Sequence, residues 1–251
     1  MIPQIIHYCW FGRGQMPDLA QKCLASWKTH LPNYEIMLWN EDNFDITAYQ
    51  YAEEAYKERK FAFVSDVCRL HVLKEFGGIY LDTDVEFIKP LPDNFLNYNA
   101  FTGFEDHLVA AGIIGSVKNG KWVSDLLAFY NNKSFYLPNG NLDIIPITEL
   151  ITDFLYSEKG VLANNTYQHI EGYCAIYPSE YFYPKSWKTL SLKITPHTLC
   201  IHHFAGSWID HNYTFLGKVA NLLLSKRVAD NWSRWYRKIR GKEEGKRQDP
   251  R

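Results

Sequence analysis

The stretch Gly77-Gly78-Ile79-Tyr80-Leu81-Asp82-Thr83-Asp84 decides how this chain is read. Two glycines stop one element, and an apolar run opens the next, read as a strand over Ile79–Phe87. Side chains alternate along a strand, so Asp82 and Asp84 project the same way. At a strand end they bring two carboxylates close together. Like charges so placed raise one pKa unless a cation neutralises them. Mg²⁺ or Mn²⁺, with diphosphate oxygens completing the octahedron, is a natural occupant. The alternative is a pair of surface aspartates at a strand end, because Asp-x-Asp by itself is a common pattern.

Working outward, Phe61–Phe76 places Val64, Val67, Leu70 and Leu73 at helical spacing. Asp66 and Arg69, three residues apart, share a face of that helix, either as a fixed acid–base pair or as an ordinary surface salt bridge. Ile2–Trp10 reads as a buried strand that ends at Gly12 and Gly14. Trp10 at its end is either a stacking surface for a nucleobase or a core tryptophan. Pro17 opens a helix through Leu31, and Tyr34–Trp39 is the next strand. Downstream of the aspartates, Ala100–Phe104 and Ala111–Val117 read as strands, Trp122–Tyr130 and Ile147–Leu155 as helices, and Leu199–Phe204 as a late strand. Glu105 and Asp106 follow a predicted strand and are candidates for acceptor or donor contacts. In the late strand the adjacent His202 and His203 point to opposite faces, so one of them joins a given metal. Ser207 and Trp208, after Gly206, form a loop suited to closing over a ligand. Strands alternating with helices predict an α/β domain with a mostly parallel sheet. The expected layout is a catalytic domain over 1–210, with a helical, basic segment over 211–251 in the same compact unit.

Composition narrows the class. With 251 residues, 46% hydrophobic and 16% aromatic, the chain is not disordered or collagen-like. Its five cysteines form no CxxC pair, which excludes a zinc ribbon or disulfide framework and fits a reducing compartment. No run approaches the ~20 apolar residues of a membrane span, and Met1-Ile2-Pro3-Gln4 lacks the basic start of a signal peptide. A soluble, cytoplasmic protein is expected. The net charge of −1 hides an asymmetry: Lys226–Arg251 carries +6 and the remainder −7. Trp232, Trp235 and Tyr236 lie beside Arg237, Lys238, Arg240 and Lys242, a mixture suited to peripheral contact with the anionic inner face of the plasma membrane. A solvated terminal helix is the plainer reading. The acidic main body argues against nucleic acid as a partner.

Taken in order, Ile6-His7-Tyr8-x-Trp10-Phe11-Gly12, Ser65-Asp66-x-x-Arg69, Gly77-Gly78-x-Tyr80-x-Asp82-x-Asp84 and His202-His203-x-x-Gly206-Ser207-Trp208 resemble the glycosyltransferases of family 32, whose sugar-binding region contains a DXD motif. Yeast mannosyltransferases, bacterial capsule enzymes and, more distantly, the glucosylating clostridial toxins belong to that group. The resemblance spans roughly residues 1 to 210. It implies a GT-A fold, a Rossmann-like nucleotide-sugar-binding α/β domain, and a metal-dependent, retaining hexosyltransferase. The donor is a nucleotide-diphosphate sugar, UDP-linked in preference, with GDP-mannose as the alternative, and the acceptor is a glycan or lipid-linked oligosaccharide. By the same resemblance Asp84 binds Mn²⁺ or Mg²⁺ directly, and Asp82 contacts the ribose and reaches the metal through water. His203, preferred to His202 from its spacing to Trp208, completes the metal shell. Trp10 stacks on the base, Asp66 and Arg69 hold donor-sugar hydroxyls, and Ser207 with Trp208 grips the diphosphate. Where family members often carry an asparagine, this chain reads Val109-Ala110-Ala111-Gly112-Ile113, without a polar side chain. The short form points to bacterial capsule, exopolysaccharide or O-antigen assembly.

Two other classes compete. Leu81-Asp82-Thr83-Asp84-Val85 also resembles the nucleophile strand of haloacid-dehalogenase-type phosphatases, although no second acidic pair in a comparable setting follows. A non-catalytic carbohydrate-binding protein would use the same aromatic-rich groove.

Overall fold

The Gly-Gly stop works as a hinge between two buried elements. In the computed structural model, which describes residues 1–205, helix Phe61–Phe76 ends where the Gly77 N–H bonds Leu73 O at 2.9 Å. Gly77 and Gly78 then take φ +68° and +108°. A Cβ at Gly78 would stand 2.6 Å from Ile5 O, so only glycine makes this turn into the sheet. The expectations for segment 211–251, and for Ser207 and Trp208, lie outside the described residues.

In chain order the strands are β1 (Ile5–Cys9), β2 (Glu35–Trp39), β3 (Gly78–Leu81), β4 (Val85–Phe87), β5 (Ala100–Glu105), β6 (Leu108–Val109), β7 (Ile113–Ser116), β8 (Gln168–Ile170), β9 (Cys174–Tyr177) and β10 (Cys200–His202). The helices are α1 (Asp18–His30), α2 (Gln50–Lys57), α3 (Phe61–Phe76), α4 (Lys121–Ala128), α5 (Ile147–Lys159) and α6 (Ser179–Phe182). The main sheet runs β2-β1-β3-β7-β5-β9-β8, with β6 on β5, while β4 and β10 pair separately. Residues Met1–Ala205 form one compact unit. The α/β class is as expected, but the sheet is mixed rather than mostly parallel. The β1–β2, β1–β3 and β5–β9 ladders are parallel, whereas β3–β7, β5–β7, β5–β6 and β8–β9 are antiparallel. The cause is connection length: β5 reaches β7 through the seven residues 106–112, too few for the crossover that parallel pairing needs.

The single strand expected over Ile79–Phe87 is two strands broken at the aspartates. β3 ends at Leu81, and a bond of 3.1 Å from the Val85 N–H to Asp82 O closes a turn before β4 begins. Helix α1 fixes the far side of that turn. Pro17 precedes its first turn, Asp18 lies in that turn, and Lys28 and His30 lie in the last, each favourable to the helix dipole. Its buried Trp27 donates Nε1–H to Val85 O at 2.7 Å, and Ser26 Oγ accepts from the Phe87 N–H at 3.0 Å. Helix α3 carries Val64, Val67, Leu70 and Leu73 at full burial. Beneath the Gly-Gly turn, buried His7 accepts from Trp39 Nε1–H at Nδ1 (3.0 Å), which leaves Nε2–H to donate to Gly77 O at 2.8 Å. Burial holds His7 below the usual histidine range, so it serves as a neutral strut. All five cysteines are free and buried.

Candidate metal and nucleotide-sugar site

The turn between β3 and β4 presents Asp82 and Asp84, and β10 supplies the third group. β10 runs antiparallel to β4 in the register His202↔Val85, which sets His202 opposite the turn. One ligand atom from each of Asp82, Asp84 and His202 lies within 4.8 Å of the others. His202 Nε2 stands 3.1 Å from Asp84 Oδ1 and 3.9 Å from Asp82 Oδ2. Backbone donors steady the rim: the Ala205 N–H bonds Asp84 Oδ2 at 2.8 Å, and the His203 N–H bonds Asp84 O at 3.0 Å. Gly112 forms the opposite wall, where a Cβ would stand 3.0 Å from Asp82 Oδ2 and 3.4 Å from His202 Cε1. The space that glycine keeps clear, with two carboxylates and an imidazole around it, suits a divalent cation that accepts oxygen and nitrogen donors.

His202, and not His203, is the histidine at this cluster. His203, one residue past the end of β10, turns the other way, where Nε2 meets Glu86 Oε2 at 2.7 Å and Lys22 reaches Glu86 at 2.8 Å. Alternation sorts the two histidines, as it does for neighbours along an extended chain. Burial pulls the His202 pKa down, but Asp84, Asp82 and Glu105 outweigh it and lift it to about 9. Burial likewise works against the Asp84 carboxylate, and the imidazolium overrides it, holding Asp84 at about 2. Without a cation the site therefore carries its compensating charge on His202.

Asp66 and Arg69 are not a surface pair. They are 6% and 5% exposed, joined at 2.8 Å. The guanidinium also stands 3.4 Å from Asp82 Oδ1, donates to Ala111 O at 2.9 Å and to Ser65 O at 3.3 Å, and lies 4.6 Å from the Tyr80 ring centre. Tyr80 O–H completes the net with a bond of 3.0 Å to Asp82 Oδ1. Burial raises Asp66 to about 6, against the pull of Arg69. The guanidinium is held charged by Asp82, Tyr80 and Asp66 in spite of its burial. Arg69 thus links the α3 carboxylate to the first aspartate of the turn.

Trp10 leaves the carboxyl end of β1 half-buried and donates Nε1–H to Gly14 O at 2.6 Å. With β1 and β3 parallel in the register His7↔Tyr80, Trp10 and Asp82 emerge from neighbouring strand ends. Glu105, at the end of β5, lies close enough to feel the charges of His202, Asp82 and Asp84, and burial raises its pKa. Asp106 is tied to Lys188 at 2.5 Å and to His107 at 3.4 Å, with its side chain half-exposed. The segment without polar side chains contributes its backbone instead: Gly112 O accepts from the Asp82 N–H at 2.8 Å, and Ala111 O accepts from Arg69. Tyr80 and Gly112 were not anticipated. Tyr80 was discoverable, since it precedes Asp82 by two residues and so shares its side of the strand.

The chain matches known proteins over part of its length. Residues 17–102 match the family model described as glycosyltransferase sugar-binding region containing DXD motif. Over 107 residues, 40% of this chain and 29% of the relative, it is 32% identical to inositol phosphoceramide mannosyltransferase 3 of Schizosaccharomyces pombe. Over 119 residues, 37% of this chain and 18% of the relative, it is 27% identical to Subversion of eukaryotic traffic protein A of Legionella pneumophila. The chain thus spans less than a third of either curated relative. Among solved structures, the PaToxG glycosyltransferase aligns with TM-score 0.47 and 20% identity over 62% of this chain and 69% of its own. A glycosyltransferase involved in glycosylation of the major capsid of PBCV-1 aligns with TM-score 0.43 and 14% identity over 82% and 95%. Residues 17–102, with Asp82-Thr83-Asp84 inside them, are thus similar to a DXD-containing glycosyltransferase sugar-binding region, and the similarity covers about a third of the chain.

Proposed function

We propose that the protein is a GT-A-type, metal-dependent, retaining glycosyltransferase that moves a hexose from a nucleotide-diphosphate sugar to a glycan or lipid-linked acceptor. The observation that carries this reading is the convergence of Asp82, Asp84 and His202 within 4.8 Å at the end of a strand inside the matched region. Asp84, Asp82 and His202 would hold Mn²⁺ or Mg²⁺, which when bound supplies charge stabilisation for the departing diphosphate. Trp10 offers a ring for the base beside Asp82, and a UDP-sugar is favoured as donor. Asp66, fixed by Arg69, presents an acceptor for sugar hydroxyls, while Arg69 itself keeps Asp82 in place. No side-chain nucleophile comes from the Val109–Ile113 segment, so attack by the acceptor hydroxyl on the same face as the leaving group is preferred, with a diphosphate oxygen taking its proton. Holding that hydroxyl against the anomeric carbon is then the main contribution of the protein. Glu105 is the better placed of the two downstream carboxylates for acceptor or donor contact, because Asp106 is already engaged by Lys188.

A cytoplasmic role in bacterial surface-polysaccharide synthesis, with the basic segment after Lys226 touching the inner membrane face, is part of the same proposal. Among the described residues no helix is long and apolar enough to cross a membrane. The test is calorimetric titration of UDP and GDP, each with and without Mn²⁺, on the wild type and Asp84→Ala. Mn²⁺-dependent binding of one nucleotide, lost in the variant, is the expected result. Binding of neither under any condition would remove the reading and turn attention to a phosphatase assay.

A further inference from the structure

Between α6 and β10 the chain makes a short hairpin that no part of the site requires. Lys185 and Leu192 pair antiparallel, and the Ser186 N–H bonds Ser191 O at 2.8 Å while the Leu190 N–H bonds Ser186 O at 2.8 Å. Main-chain bonds therefore hold the hairpin without help from its apolar side chains. Leu190, Leu192 and Ile194, at every second residue, are 61%, 49% and 54% exposed. Three such side chains together in water are unfavourable unless something covers them.

The charges on the hairpin itself have one sign. Residues 184–197 contain three lysines and no carboxylate. Lys185 donates to the neutral carbonyl of His203 at 2.8 Å, and Lys89 arrives from after β4 to donate to Pro196 O at 2.7 Å. Lys193 makes no ion pair among the described residues. Among the described residues, the carboxylate that pairs with a hairpin lysine is Asp106, engaged by Lys188. We propose that the Pro184–His197 hairpin is a docking surface for an anionic lipid bilayer, with Leu190, Leu192 and Ile194 entering the interface and Lys89, Lys185 and Lys193 meeting lipid phosphates. Apolar side chains flanked by long cationic ones are suited to the headgroup boundary, where stems bury and ammonium groups stay wet. A purely apolar protein partner would leave those lysines without counter-charge. The hairpin is also fastened to the rim of the site, through Lys185 to the residue after His202 and through Lys188 to the residue after Glu105. Docking would turn the site toward the membrane, whatever reaction it performs.

The test uses the full chain with Leu192→Cys carrying a nitrobenzoxadiazole label, since the five native cysteines are buried and leave one reactive thiol. Vesicles of equal parts phosphatidylglycerol and phosphatidylcholine are expected to sediment the protein and to brighten and blue-shift the label, with pure phosphatidylcholine doing neither. The variant Leu190→Ser/Leu192→Ser/Ile194→Ser, altered only at exposed positions, is expected to keep its melting temperature and lose about tenfold or more in vesicle affinity. Sedimentation with a silent label, or undiminished binding of the triple variant, would overturn the proposal and assign membrane contact elsewhere. No vesicle binding, or a free dimer that the triple variant abolishes, would overturn it too, the latter by showing that a second copy covers the hairpin.

Discussion

Replacing Arg69 with methionine keeps most of the buried stem and removes the charge, which isolates what the guanidinium does. In the native protein that group serves the Asp66 carboxylate at 2.8 Å, the Asp82 carboxylate at 3.4 Å and two backbone carbonyls. Removing one member of a buried ion pair costs about 3–5 kcal/mol, because the other charge is left without a partner. For a domain of this size each kcal/mol moves the midpoint by about 2–4 °C, so Arg69→Met should melt roughly 6–20 °C below wild type at pH 8. The deficit has a pH signature. Asp66 already sits at about 6 with Arg69 beside it, and without the cation burial pushes it higher. A carboxyl whose folded pKa lies above its unfolded value is destabilising above the folded pKa, and protonation relieves that penalty as pH falls. In the variant Asp66 takes up its proton at a higher pH than in the wild type, whereas the wild-type pair loses part of its attraction as pH falls through about 6. The gap between the two proteins should therefore narrow from pH 8 to pH 5.5, followed by thermal or urea unfolding of both. A deficit below about 1 kcal/mol at pH 8, the range of an exposed pair, would refute the reasoning. A gap that widens on acidification would refute it equally.

Other consequences follow from the same geometry. Gly112 takes no left-handed backbone angle, so Gly112→Ala is permitted conformationally but places a methyl 3.0 Å from Asp82 Oδ2. Mn²⁺ affinity should fall about 10- to 100-fold by calorimetry with little loss of stability, and unchanged affinity would contradict the assignment of that wall. His202→Ala should abolish Mn²⁺-dependent nucleotide binding while His203→Ala leaves it within about threefold, and the reverse order would exchange their roles. Because His202 is held near 9 without a cation, metal binding must expel its proton below that pH. Mn²⁺ affinity should rise toward tenfold per pH unit between pH 6.5 and 8.5, with about one proton released per site, measured by titration in buffers of different ionisation enthalpy. Gly78→Ala, forced to φ +108° with its Cβ against Ile5 O, should destabilise by several kcal/mol, on the order of 2–4, in urea unfolding.

Much of this architecture was legible because it depends on local rules. Helix α3 runs over Phe61–Phe76 as its apolar spacing predicts, and the glycines that end it take the positive φ that only they accept readily. Helix α2 and strands β8 and β9 were not foreseen. Gln50–Lys57 is mixed in polarity over only eight residues, and β8 is a three-residue edge strand without an apolar face. Sheet direction was also out of reach, since whether β5 and β7 run together depends on pairing between distant segments. Burial was out of reach in the same way. Taken alone, Asp66 and Arg69 leave a fixed acid–base pair and a surface i,i+3 bridge both open, and it is the packing of α2, α4, β1, β3 and β7 around α3 that makes them interior.

The aspartates are the instructive case, because Asp82 and Asp84 converge through a different local geometry from the one their spacing predicts. Period-two alternation in an unbroken strand would aim both carboxylates to one side. In the protein the strand stops at Leu81, and a turn closed by the bond from the Val85 N–H to Asp82 O performs that convergence instead. The difference matters for the third member of the cluster, His202. A continuous strand would carry its ladder past the aspartates, whereas the break lets β4 leave the main sheet and pair with β10 alone. That separate ladder is what sets His202 opposite Val85 and sends His203 to Glu86. Choosing between adjacent histidines therefore needs the register of a two-stranded pair whose partners are more than a hundred residues apart in the chain. Alternation guarantees that they divide between two faces, but only the pairing partner says which of them joins Asp82 and Asp84.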